Sequence, residues 1–487
     1  MLGRLKKTLK HTVIYSMGNV AVKLVGVVLL PLYTKHITVS DYGVLGILEV
    51  TIMILTETLI LGQPNAYLRF YDSHEFASKR KSTLFTIFSF VFISVLLFCI
   101  IGYLFVPDIA SYFSNPESFK IYFRLSLLII LLRVINNLSL TVLRAKEQSF
   151  IYAMANVLKI IVILGLNIYF IVSLKLGVQG ILYAYIAGEI IMLILLFPLI
   201  LREIEFSFDT LILKAALIFG LPLIFNSLAG MILNMGDRYI LKLLSNYREV
   251  GLYSLGYKIA GLINIFLVKS FSLGFIPLAF KMHGQEGDKR YYSKMMTYLV
   301  FTLVWAGIAL SVFAKDIVQT FALDPSYWSA YKIIPVIVLS YIILGAKTIA
   351  GLGMLLEKKT HYLATTTFIA MILNIVANFL LIPKLGMMGA AFATLISFTA
   401  LYLLSLYYSN RFYPIPFENW KLIKLLLLSM ALYGLAESVS PLPLVWQYIT
   451  KIILILIFPI LLYPLNFYEP IEIIRIKEFA HKIIRKK

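Results

Sequence analysis

The sequence predicts an all-α integral membrane protein with about fourteen transmembrane helices, arranged as two parallel, pseudo-symmetric six-helix lobes plus two C-terminal helices. Composition, the spacing of apolar stretches and an internal repeat carry that prediction. The chain has 487 residues, is 60% hydrophobic and only 14% charged, and has a mean hydropathy of +0.89. A soluble domain averages about 45–50% apolar and about 25% charged residues, so this composition argues against a water-soluble enzyme. At roughly 20 apolar residues per crossing, fourteen spans need ~280 residues, comparable with the hydrophobic share of the chain.

Apolar stretches fall at 12–33, 42–62, 83–106, 121–142, 151–174, 178–201 and 214–236, then at 250–270, 293–313, 331–352, 362–382, 388–409, 421–438 and 445–464. Most are rich in Leu, Ile, Val and Phe, and none has the short alternating pattern of a membrane β-barrel. The first follows Arg4, Lys6, Lys7 and Lys10 and lacks a small-residue cleavage site, so it reads as a retained helix and not a signal peptide. The seventh contains Pro222 and the thirteenth is short. Cys99, the single cysteine, lies in an apolar run and reads as a buried, inert thiol.

The net charge of +20 is explained by position. Alternate loops on the side of the N-terminus hold 27 Lys and Arg, against 9 on the opposite side. Short cytoplasmic loops retain positive charge, so both termini are expected in the cytoplasm, with the chain a multi-pass protein of the inner (cytoplasmic) membrane. The basic excess then needs no nucleic-acid partner.

KLGVQGILYA at Lys175–Ala184 and KLGMMGAAFA at Lys384–Ala393 match at an offset of 209. DYGVLGI from Asp41 pairs with EVGLYSL from Glu249 at 208, and Glu147 and Tyr152 pair with Glu357 and Tyr362 at 210. A common offset sets helices 1–6 on helices 7–12, and an even number of crossings gives the copies the same orientation. The expected domains are an N-terminal lobe at 1–206, a second lobe at 207–412, and helices 13 and 14 with a basic tail at 413–487.

Eight cations remain inside the apolar stretches. A charge at a helix centre costs about 2.5–3.5 kcal/mol on insertion scales, so such residues face a protein or water-filled interior. Arg124, Lys269, Lys347 and Lys451 lie near span ends, where a long stem carries the charge to the interface. Lys23, Arg133, Lys159 and Lys258 lie deeper and are the candidate substrate-binding cations of a cavity. Lys and Arg are strong phosphate donors, so a cationic interior suits an anionic cargo. Glu49, Glu57 and Glu189 are candidates for ion coupling or for structural pairing with those cations. Pro222, which follows Gly220, is a candidate hinge, and Pro31 marks a bend near the end of helix 1. Span asparagines, among them Asn136, Asn374 and Asn378, tie helices together.

No loop on the outer side exceeds about twenty residues, which leaves little room for extramembrane catalysis. GxxxxGK[ST] and GxGxxG are absent and the six His have no metal-ligand spacing, so no catalytic residue, cofactor or metal is expected.

The opening GNVAVKLVGVVLLPLYTKHITVSDYGVLGILEV, followed by LGQPNAYLRFYD, resembles the first two helices of bacterial polysaccharide transporters of the O-antigen flippase type. GLPLIFNSLAGMILNMGDRYIL and EVGLYSLGYKIAG resemble the start of that family's second lobe. The family belongs to the multidrug/oligosaccharidyl-lipid/polysaccharide exporter superfamily, and the resemblance covers most of the chain. It implies a two-lobed flippase that carries undecaprenyl-pyrophosphate-linked oligosaccharide between leaflets by alternating access, among membrane lipids and polysaccharide assembly proteins. It also implies a cationic cavity, in agreement with Lys23 and Lys258 on helices 1 and 8, and structural or gating places for Asp41, Tyr42, Gly43, Arg69, Asp237 and Arg238. A peptidoglycan lipid-precursor flippase and a multidrug/cation antiporter of the same superfamily are the alternatives, with a membrane glycosyltransferase or polymerase as the different class. The deep lysines count against the antiporter, which favours an anionic cavity.

Overall fold

The computed structural model describes residues 26–71, 73, 78–113, 115–438, 443–474 and 478. Every regular element among them is helical. Among the described residues twelve helices are long and apolar enough to cross a membrane, from Val39–Leu59 through Tyr247–Met282 to Leu444–Leu461. They correspond to all but two of the expected stretches. Most of the first stretch, at 12–33, lies outside the described residues. The thirteenth forms the helix Asn419–Ser438, which carries Lys421 and Lys424 and is not one of the twelve.

Helix starts follow local chemistry. Thr38 caps Val39–Leu59 by accepting from the Asp41 backbone N–H, and its hydroxyl donates back to the Asp41 carboxylate at 2.7 Å. Asp209 accepts from the N–H groups of Leu211 and Ile212 at the start of Thr210–Met235. Pro116 opens Pro116–Ala145 at a position where its missing N–H costs nothing. The long eighth span includes a π-helical segment, Asn264–Lys269, and the fifth ends in another, Tyr169–Ser173.

The chain packs as two compact units. The first takes the described residues of Met1–Ile259 with Val318–Ile333 and Ala364–Ser397. In it Val39–Leu59 packs on Pro116–Ala145 and Gly177–Leu201, and Ser149–Ile168 packs on Gly177–Leu201. The second takes Ala260–Ile317, Ile334–Leu363 and the described residues of Phe398–Lys487. There Asp288–Val312 packs on Ile334–Ala350, Asn419–Ser438 and Leu444–Leu461.

The duplicated motifs have duplicated backbones. Gly177 and Gly386, equivalent in the two KLG motifs, both have φ +55°, a left-handed conformation that favours glycine. Gly43 and Gly251, equivalent at the 208 offset, pack against each other's helices reciprocally. A Cβ on Gly43 would lie 1.9 Å from the Tyr247 carbonyl oxygen, and one on Gly251 would lie 2.1 Å from that of Val39. Each carbonyl belongs to the residue four before the facing glycine, so the crossing is symmetric about the pair.

Candidate functional site

Arg133, Lys159 and Lys258, three of the four deep cations, line one cavity of about 440 Å³ in the first unit, together with Glu49, Tyr185 and an apolar wall that includes Leu29, Ile52 and Ile163. Two small networks build it.

The first is centred on Glu189, within Gly177–Leu201, whose side chain is completely buried. Its carboxylate accepts from Lys159 Nζ at 2.6 Å, Arg133 Nε at 2.9 Å and Asn136 Nδ2 at 3.0 Å. Arg133 and Asn136 stand three apart on one helix, a spacing that puts both on the same face. Asn136 Nδ2 also bonds the Glu189 backbone carbonyl at 2.9 Å. One carboxylate thus serves two cations and leaves a local excess of one positive charge. Arg133 uses Nε alone among the described residues, so its two Nη groups remain free to donate.

Glu49, on Val39–Leu59, is the centre of the second. It accepts from the Tyr185 hydroxyl at 2.7 Å and faces Lys258 Nζ at 3.5 Å. Tyr185 precedes Glu189 by four residues, so one helix face serves both networks. Lys258 Nζ also sits 5.4 Å from the centroid of the Tyr42 ring, a cation–π distance. Tyr42 packs edge-on against Tyr327 and tilted against Tyr33, and all three rings are buried. The Lys258 stem passes within 3.6 Å of where a Gly26 Cβ would be.

Other sequence candidates lie elsewhere. Lys23 falls outside the described residues. Glu57 does not line this cavity and has no partner among the described residues. Eight residues beyond Glu49, it is turned about 80° round the helix and about 12 Å along it. Pro222 is exposed within the unbroken helix Thr210–Met235, two residues past Gly220, which is pressed against the Leu61 carbonyl. Arg69 places its guanidinium 4.5 Å from the Phe219 ring centroid. Asp41 serves the helix cap described above.

Asp237 and Arg238 form a separate buried cluster. Tyr253 and Thr394 hydroxyls donate to the Asp237 carboxylate, and Arg238 reaches it at 3.4 Å while stacking 4.7 Å over Tyr257. Burial pushes the Asp237 carboxyl above its ordinary range, opposed by the Arg238 charge.

Lys451, expected to reach the interface, is buried in the second unit and donates to Asp316 at 2.6 Å; Tyr448 donates to the same carboxylate. Cys99 is only half-buried, and its thiol faces the Leu127 carbonyl at 3.4 Å. Sequence reasoning places Tyr42 with Asp41 among the structural or gating positions and does not single out Tyr185, although the four-residue step from Tyr185 to Glu189 is visible in the sequence. Among the described residues no group of three or more His, Cys, Asp or Glu could hold a metal ion.

Residues 8–283 match the family described as polysaccharide biosynthesis protein. An uncharacterized membrane protein of Methanocaldococcus jannaschii is 21% identical over 418 residues, covering 81% of this chain and 75% of that one. The solved lipid II flippase MurJ in its inward closed conformation is similar at a TM-score of 0.75 and 15% identity, covering 93% of this chain and 99% of its own. An inward-facing multidrug resistance MATE family transporter of the MOP superfamily is similar at a TM-score of 0.64 and 16% identity, over 82% of this chain and 94% of its own. The helical fold is therefore shared with MurJ and the MATE transporters, and by its sequence the chain belongs to the polysaccharide biosynthesis protein family.

Proposed function

We propose that the protein is a flippase that moves undecaprenyl-pyrophosphate-linked oligosaccharide across the cytoplasmic membrane by alternating access, with both termini in the cytoplasm. The observation that carries the reading is the cavity in which Arg133, Lys159 and Lys258, all on helices long and apolar enough to cross a membrane, converge. Desolvated guanidinium and ammonium groups are strong donors to phosphate oxygens, and the excess of cations over carboxylates favours a dianionic headgroup. Lys23 is assigned to the same cation set. Family membership and the shared fold support transport over catalysis, and the repeat supports lobes at 1–206 and 207–412 that rock about the cavity, with Asp41, Arg69, Pro222, Asp237 and Arg238 as gating positions. The glycan reaches the site as a lipid-linked unit handed over by polysaccharide assembly proteins. Coupling to a proton or sodium gradient is assigned to Glu49, with Glu57 and Glu189 as the other carboxylates to test; export that ignores ionophores would remove it.

A second reading, a peptidoglycan lipid-precursor flippase, draws support from the shared fold with the lipid II flippase over 93% of the chain. The two cargoes share the polyprenyl pyrophosphate and differ in the sugar. Surface-glycan and cell-wall analysis of a deletion strain separates them: loss of surface polymer with intact wall supports the first, and wall failure supports the second. In the same strain, Lys258→Ala should cut export by about tenfold, equivalent to 1.4 kcal/mol, while the protein still inserts. Full export from both Lys258→Ala and Lys23→Ala would remove the cationic site.

A further inference from the structure

We propose that Glu49 is a built-in competitor for the anionic headgroup, occupying Lys258 when the cavity is empty and yielding it when a pyrophosphate enters. The inference rests on the reading that the cavity takes a polyprenyl pyrophosphate, and it assigns different work to the two carboxylates there.

Glu189 is fixed. Its side chain is fully buried and three donors hold it at 2.6–3.0 Å, so releasing it would leave two cations without their shared carboxylate. Glu49 is held differently. Its side chain keeps 29% of its exposure, and its one cation stands at 3.5 Å, well beyond the 2.7–2.9 Å of a charge-assisted hydrogen bond. Its short bond is the one from the neutral Tyr185 hydroxyl at 2.7 Å. Tyr185 therefore offers Glu49 a place to remain after Lys258 has turned to another anion. Tyr33 cannot replace Lys258, because its hydroxyl donates to Asn167 Oδ1 at 3.0 Å.

The charge balance gives the exchange a purpose. With Glu49 on Lys258, the described charges of the two networks are three cations and two carboxylates, a net of one positive. With Glu49 held by Tyr185 alone the net charge is unchanged, but the Lys258 ammonium no longer has a carboxylate opposite it and can donate to an entering phosphate beside Arg133 and Lys159. A pyrophosphate diester carries two negative charges. The return of Glu49 to Lys258 then competes the headgroup off, so the same carboxylate lowers affinity and speeds release. A purely structural ion pair would not do this, because its loss would weaken the site.

Purified full-length protein in detergent, titrated with farnesyl pyrophosphate and separately with inorganic pyrophosphate at fixed ionic strength, tests the proposal. Glu49→Gln should tighten binding of both probes by about tenfold, the order expected for removing one nearby negative charge from a half-wet site. Glu49→Asp, which withdraws the charge by one methylene, should tighten it less, and Lys258→Ala should weaken it. Glu49→Gln should also slow release of farnesyl pyrophosphate. Unchanged or weaker binding in both Glu49 variants, while Lys258→Ala still weakens it, overturns the competitor role and leaves the cationic site standing. A gain for farnesyl pyrophosphate without one for inorganic pyrophosphate overturns it too, because the effect would then act through the tail. If wild type and Lys258→Ala take up neither probe, the headgroup reading itself fails, and this inference with it.

Discussion

Glu189 in the first copy of the repeat and Phe398, its counterpart at an offset of 209 in the second, are both fully buried. Around Glu189 stand Arg133, Lys159 and Asn136. At an offset of 210 their counterparts are Ile343, Ile369 and Ala346. The turns, in contrast, are alike in both copies. Gly177 and Gly386 have the same left-handed φ, and Glu147 and Lys358, one residue off the 210 register of the sequence match, follow their helices at φ 56° and 57°. Each of those ends closes with a backbone bond across five residues, Gln148 N–H to the Leu143 carbonyl and Lys359 N–H to that of Met354. Backbone turns are fixed by steric rules that both copies must obey, whereas the interior of a helix cluster can be filled with either apolar side chains or a satisfied ionic network. Where the first copy has the ionic network, the second has apolar residues at the matching sequence positions, and the ionic network lines the cavity.

The largest effect should come from breaking the network where the copies differ most. Glu189→Leu leaves Arg133 and Lys159 without their shared carboxylate and should cost about 3–5 kcal/mol, against about 1–2 kcal/mol for Phe398→Leu. Thermal unfolding in detergent measures both; equal losses would mean that the charged cluster is no more than packing. Next, Arg133→Ala should lower glycan export by about tenfold, whereas Ile343→Ala should leave it within about twofold. A matching fall in both would place function in the fold and not in the cations.

The symmetric crossing sharpens the comparison from the side where the copies agree. Gly43→Ala and Gly251→Ala should each cost about 1–3 kcal/mol, because either methyl meets a backbone carbonyl that has no room to retreat. Their costs should be similar, and the double variant should cost less than the sum, since one separation relieves both clashes. Unequal costs would show that the crossing only looks symmetric.

The smallest effect belongs to a pair outside the spans. Hydrogen bonding from Lys79 at 2.8 Å, with further bonds from the Ile212 and Leu211 N–H groups, holds the Asp209 carboxyl below its ordinary value. A depressed carboxyl contributes stability that is present above the unfolded-state value and is lost as pH falls through the folded-state value. Asp209→Asn should therefore lower stability slightly at neutral pH and flatten the acid limb of a stability–pH curve, with variant and wild type converging as pH falls through the folded-state value of Asp209.

Much of the fold was legible in the sequence because a bilayer demands long apolar helices and penalises charge inside them. That penalty singled out Arg133, Lys159, Lys258, Glu49 and Glu189, all of which belong to the two networks at the cavity. The pairing was not legible. Lys451 meets Asp316 from 135 residues away, and nothing in its own helix signals a carboxylate there. Glu57 looked like Glu49 in composition and depth, but the helical twist turns it off the cavity face. Tyr185 is an ordinary apolar-run tyrosine until the fold brings Glu49 to it, and Tyr42, legible beside Asp41, gains its Lys258 contact only in the fold. The two compact units were also hidden, because the division at Ile259 falls inside a continuous helix.

The most direct measurement is leaflet exchange of a fluorescent polyprenyl-pyrophosphate oligosaccharide in liposomes carrying the purified protein. Wild type and Lys451→Ala, whose residue pairs with Asp316 and is not among the cavity lining, should exchange it, and the Arg133→Ala/Lys258→Ala double variant should be slower by at least about tenfold. Exchange by the double variant at the wild-type rate would contradict a cationic cavity as the place where the headgroup is held.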